Sequence, residues 1–335
     1  MMNDEERIVL KNGDMELEIA AGVGGAISRF GFWQEKDGKK EFVPLLRGHD
    51  DKANVGNPLA AGDMGVHTGI PYINRVEPCT YNGRTIGAEK NHPSVEHNIH
   101  GDAWQQSWKV ESFDKTSAVI SYEHNGESGF PFKYEAKQTI SLSKDAFKID
   151  VEVINKEKEA SFPVGAGLHF YWVKTDDMTL TVANEKLQFD VKTDKPSAEE
   201  RPVPKDLDCS KGKKVSSIYG LDANFSSKDG NFTIKYPEMD KQITVSSMGN
   251  YNKNYITICV PDWTDALCAE PLTHSVYGTS EVAKGRKTPE ETGIKVLAPG
   301  ESLKMVTKSS VKPMENTNQI NRSADIVKIL KSKSR

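Results

Sequence analysis

The sequence predicts an all-β protein, an antiparallel sandwich of many short strands, and three observations predict it. Apolar and polar residues alternate over 108–110, 118–122, 134–136, 140–142 and 147–153, the period of a strand with one buried face. These runs recur at roughly ten-residue spacing and are parted by turn formers at Asn125-Gly126, 143–146 and 155–158, as in sandwich domains. No linker composition and no repeat of fixed period divides the chain. One domain is therefore expected over 1–312, with a separate tail over 313–335.

Taken in order, residues 7–21 alternate around Asn12-Gly13, which predicts a hairpin with one wet face. Gly22, Gly24 and Gly25 then permit a close backbone bend. Residues 34–70 are rich in Gly, Asp, Asn and Lys without periodicity, and are expected to be loop. Beyond the dense strand region, alternation resumes weakly at 178–182 and passes through a Lys/Asp/Pro-rich segment at 191–214. It returns at 232–236, 243–245, 294–296 and 303–305. The compact apolar run 255–260 suits a strand buried on both faces. In the tail, Ser323 could cap a short helix with an apolar stripe of Ile326, Val327, Ile329 and Leu330.

Composition excludes several functions. Of 335 residues 36% are hydrophobic and 27% charged, with a net charge of -4, so the chain can bury a core but offers no basic excess for a nucleic acid. Cys79, Cys209, Cys259 and Cys268 stand far apart, with no C-x-x-C, which argues against a zinc or disulfide framework. The N-terminus MMNDEER is acidic, and the least polar stretch, 20–33, holds four glycines and an arginine. That falls short of the ~20 apolar residues a membrane span needs. A cytoplasmic protein is expected, acting as a monomer or homodimer.

Three places set an ionisable side chain in a shielding context: His100 in HNIHGDAW, His169 in FPVGAGLHFYW, and Glu270 in ALCAEPLTH. A carboxylate after an apolar run is costly to bury unpaired, so Glu270 calls for a basic partner or a ligand. A carboxylate titrating near ~4 and an imidazole near ~6.5 are the minimum kit for general acid–base work at neutral pH. Arg75 adds a planar fork of donors, while Tyr72, Trp104, Trp108 and Trp172 add flat apolar faces suited to a pyranose. Core histidines and core aromatics remain the plain alternative, as does an Asx turn at Asp222.

These strings fall into a known pattern. PYINRV, HNIHGDAWQQSW, FPVGAGLHFYW, GLDANF, ALCAEPLTH and LAPGESL, in this order, resemble the motifs of the aldose 1-epimerase (galactose mutarotase) family from about Ile8 to Val311. The resemblance implies a large antiparallel β-supersandwich and interconversion of the α and β anomers of a free sugar. Glu270 matches the general base and His169 the general acid. His100, Arg75 and Asp222 match substrate-binding positions, to which Asn74 and Trp104 are added from the same strings. The only partner implied is a small-molecule sugar, with neither metal nor cofactor. Phe170 stands where the family usually has proline, and Asp102 where it often has glycine; both are expected to reshape the pocket. His97 and His274 are expected at the surface or behind the site. A hexose-6-phosphate epimerase ranks second, because HGDAWQQSW lacks the arginines a phosphate would want. A sugar-binding protein without turnover would have no use for both Glu270 and His169.

Overall fold

The structure, a computed structural model, describes residues 7–48, 57–127, 129–190, 195–261 and 264–314. The tail helix expected over 323–330 lies outside the described residues. Among those residues the protein is a large antiparallel β-supersandwich built on an 18-stranded sheet, and no helix is long and apolar enough to cross a membrane.

The ladder begins where the alternation promised it. Arg7–Asn12 pairs with Met15–Ala20, with Asn12 facing Met15 and Gly13 taking the positive φ of 63° that the tight turn requires. Lys109–Phe113, Ser117–Asn125, Lys133–Leu142 and Ala146–Asn155 form a meander of neighbouring antiparallel strands. Ala146–Asn155 hands on to Ser302–Pro313, and that strand to Lys241–Gly249. The strand Asp222–Tyr236 has three neighbours, Thr179–Asp190 along one edge and two strands along the other. Its second half pairs with Lys241–Gly249 and its first half with Asn254–Cys259. Inward residues of these strands, among them Leu10, Leu17, Phe30, Ile140, Phe147, Phe170, Trp172 and Phe225, make one buried cluster.

Between residues 34 and 70 the structure departs from the expected loop. Ala26–Lys36 turns into Lys39–Pro44 as a hairpin whose charged side chains face solvent, so it leaves no apolar alternation to read. Val66–Gly69 is a strand too short to display a period. Likewise Lys195–Pro202, inside the Lys/Asp/Pro-rich segment, is a strand against Thr179–Asp190. The run 255–260 fares as expected: Asn254–Cys259 is buried on both faces between its neighbours.

Candidate functional site

The site follows from strand register. Val66–Gly69, Gly167–Val173, Ala266–Leu272, Asn254–Cys259, Asp222–Tyr236 and Thr179–Asp190 lie side by side. His67 faces His169, Glu270 faces Thr257, Thr257 faces Asn224, and Asn224 faces Gln188. The pairings Gly167 with Leu272 and Tyr171 with Cys268 set His169 across from Glu270. Directly opposed residues share a face. A row of polar side chains therefore crosses the sheet, assembled from six distant places in the chain. Two residues along each strand runs a second row on the same face: Tyr171, Cys268, Cys259 and Asp222.

His169 and Glu270 are the centre of this patch. Nε2 of His169 lies 3.2 Å from Oε1 of Glu270, with side-chain exposures of 13% and 1%. The His169 ring packs against Tyr171 at 4.4 Å and His67 at 4.6 Å, and those two rings lie 5.9 Å from each other, so the three form one cluster. Trp104 stacks on His67, and the Arg47 guanidinium lies 3.9 Å over Tyr171. Beside the stack opens a cavity of about 500 Å³, lined by Arg47, His67, His92, His100, Trp104 and Tyr171.

Burial governs the charges. It raises the Glu270 carboxyl well above its ordinary range, with Cys259 and Asp222 adding to the effect and Arg75 opposing it. It pushes His169 well below its ordinary value, helped by the neighbouring His67, His100 and Arg47. His67 falls to about 3 through burial, the Ala61 carbonyl opposing and Arg47 adding. One proton shared between Nε2 and Oε1 suits such a pair, and burial favours its neutral form, with that proton on Glu270.

The sequence-predicted residues converge here. The His100 ring stands edge-on to His169 at 5.1 Å, and its Nδ1 accepts a hydrogen bond from the Asn74 backbone N–H. The proton of the neutral ring is therefore on Nε2, which makes His100 a donor. Asn74 and His100 both adopt left-handed backbone, with φ of 61°. The Asn74 amide donates to Asn224 and Thr257, so its N–H groups are committed to holding the row together. Arg75 lies 3.5 Å from the half-exposed Asp222 at the outer edge of the patch. Trp104 donates its indole N–H to backbone carbonyls and offers only its ring to the cavity.

Several expectations need correcting. Tyr72, Trp108, Trp172 and Phe170 are buried in the core, so the pocket wall comes from Tyr171 and Trp104. The glycines before His169 serve close packing. A Cβ at Gly165 would lie 2.0 Å from the His274 ring, and one at Gly167 would meet Ile73 at 2.7 Å. They let that ring and Ile73 pack beneath the site. His274 is buried behind it, accepting from the Ile73 N–H and bonding the Ser275 carbonyl. Asp102 turns away from the cavity and accepts bonds from Tyr122, Tyr134 and His124. His97 stays outside, near Tyr277.

Sequence reasoning missed His67, Arg47, Tyr171, Thr257 and Asn224. Period two would have found Tyr171 from His169 and Asn224 from Asp222. His67 and Arg47 sat in the supposed loop.

The imidazoles of His67, His100 and His169 bring ligand atoms within 4.8 Å of one another, as do His169, Cys268 and Glu270. The first set does not form a metal tripod. The free lone pair of His100 is taken by the Asn74 backbone N–H. In the second, Cys268 is held as the thiol by its bond to Cys259 and by burial, whereas a metal requires the thiolate.

The aldose 1-epimerase family model matches residues 6–308. No curated protein matches the chain. Its fold is similar to that of a candidate aldose 1-epimerase from Escherichia coli K12, with a TM-score of 0.75 and 22% identity over 92% of this chain and 99% of that one. A galactose mutarotase-like protein from Clostridium acetobutylicum gives a TM-score of 0.75 at 19% identity, over 92% and 95% of the two chains. The GalM/aldose epimerase homologue of C. elegans gives 0.72 at 15%, over 92% and 99%.

Proposed function

The chain belongs to the aldose 1-epimerase family, and from that premise we propose that it interconverts the α and β anomers of a free aldose such as glucose or galactose. One observation carries the reading: an imidazole and a carboxylate 3.2 Å apart, the imidazole packed against the His67, His100 and Tyr171 rings that line the cavity. The anomeric carbon bears two oxygens, the hydroxyl O1 and the ring O5. An acid and a base that serve both must stand side by side. Glycosidases need a different spacing, with carboxyl groups roughly 5 Å apart or more around a glycosidic bond.

In the proposed cycle Glu270 takes the proton from O1–H while His169 gives its proton to O5. The C1–O5 bond breaks as C1=O1 forms, leaving Glu270 protonated and His169 neutral. The aldehyde turns about C1–C2 and the ring recloses on its other face. His169 then recovers its proton from O5 as Glu270 returns one to O1. The pair holds one proton beyond the fully ionised carboxylate and neutral imidazole throughout, and only its position changes. Burial already favours the neutral arrangement that accompanies the open chain. His100 donates through Nε2, Arg75 and Asp222 pair hydroxyls at the rim, Trp104 walls the cavity, and Asn74 positions His100.

A hexose 6-phosphate is the second reading, favoured by Arg47. Among the described residues, its guanidinium flanks the cavity with Nε unpaired and Nη2 bonded to the backbone carbonyls of Gly62 and Met64. The arginine that seemed lacking beside His100 thus comes from a distant segment. A polarimetric panel of freshly dissolved α-glucose, α-galactose, a pentose and glucose 6-phosphate tests the proposal. Faster decay of optical rotation for a neutral sugar is expected, acceleration of the phosphate alone would favour the second reading, and no acceleration of any would refute both.

A further inference from the structure

The second row of the site carries two thiols that the proposed reaction does not use. Cys259 and Cys268 face one another directly across neighbouring antiparallel strands. Both are free; Cys268 is buried and Cys259 half-buried. Their row continues to Tyr171 on one side and Asp222 on the other. The two thiols therefore sit on the sheet face that carries the acid–base pair, two residues along their strands from Glu270 and Thr257. Sγ of Cys268 also lies within 4.8 Å of ligand atoms of His169 and Glu270.

The positions suit a covalent bond. Directly opposed antiparallel residues have Cα atoms about 4.5 or 5.5 Å apart, inside the window of about 4.4 to 6.8 Å that a disulfide spans. The thiols are already in hydrogen-bond contact, the first cause that holds the proton on Cys268. Cys259 is the one that solvent reaches, so an oxidant meets it first.

We propose that Cys259 and Cys268 are a reversible oxidation site for hydroperoxides, whose disulfide forms beside the His169–Glu270 pair and slows turnover. The Cys259 thiolate attacks the peroxide O–O bond, giving a sulfenic acid and releasing water once the leaving hydroxide takes a proton. The Cys268 sulfur displaces the sulfenic oxygen as a second water, with loss of its own proton. Two thiols and one hydrogen peroxide thus give one disulfide and two waters. The sulfurs close to about 2 Å, and the strands bearing Tyr171 and Asp222 must follow.

The test exposes the full chain to hydrogen peroxide, blocks remaining thiols by alkylation and maps the digest without reductant. Trypsin leaves both cysteines on one peptide, because no lysine or arginine lies between them. That peptide should lose two hydrogens and resist alkylation. The anomerisation rate should fall at least tenfold and recover with dithiothreitol. Cys259→Ser and Cys268→Ser, each compared with itself before and after peroxide, should lack that reversible fall. Absence of the mass loss overturns the proposal, as does a disulfide that leaves the rate unchanged or an equal reversible loss in Cys259→Ser. The mass readout stands apart from catalysis, so a chain that forms the bond but never turned over an aldose contradicts the function proposed above, not the dithiol.

Discussion

At the scale of single residues, Glu270 and the buried histidines make stability depend on pH in opposite senses. Burial raises the folded-state pKa of Glu270, so its contribution is fully present below its ordinary value of 4.5 and is lost as pH rises through the raised one. Glu270→Gln keeps the side chain neutral. The variant should gain melting temperature relative to wild type as pH climbs from about 4.5, and a difference constant with pH would contradict the burial argument. His274 behaves inversely. Its folded value is lowered to about 4, first by burial, so its contribution is complete above 6.5 and is lost as pH falls toward 4. A shift of that size corresponds to about 3 kcal/mol. His67, lowered to about 3, extends the same loss further into acid.

At the scale of elements, the strand that carries His169 depends on what its preceding glycines admit. Gly165→Ala would drive a methyl into the His274 ring, whose Nε2 fixes the backbone of Ile73 and so the approach to Asn74. Overpacking of this kind costs about 1–3 kcal/mol. A lower denaturant midpoint is expected, together with a weaker affinity for sugar, and an unchanged midpoint would show that the ring has room to move. The meander from 117 to 155 was legible in the sequence because each of its strands buries one face and wets the other. The hairpin Ala26–Lys36 with Lys39–Pro44 was not legible, since its outer half buries neither face. Val66–Gly69 was hidden for the opposite reason. All four of its residues are buried, and neither its length nor its pattern marks it as a strand.

At the scale of the whole molecule, the site is a property of register. Glu270, His169 and His100 were legible because each breaks a pattern, a titratable group where apolar or glycine residues prevail. What the sequence could not reveal is that six separated strands bring His67, Thr257 and Asn224 into one row with them, since long-range pairing leaves no local trace. The same register explains why Arg75 and Asp222, well separated in the chain, meet at the rim at 3.5 Å. The central claim is that this row holds a working acid–base pair. It is tested most directly by the polarimetric rate on one freshly dissolved α-aldose for wild type, Glu270→Gln and His169→Asn under identical conditions. Acceleration by the wild type, with each variant slower by about 10² to 10⁴ and still folded, is the predicted result. Wild-type turnover in either folded variant would contradict it.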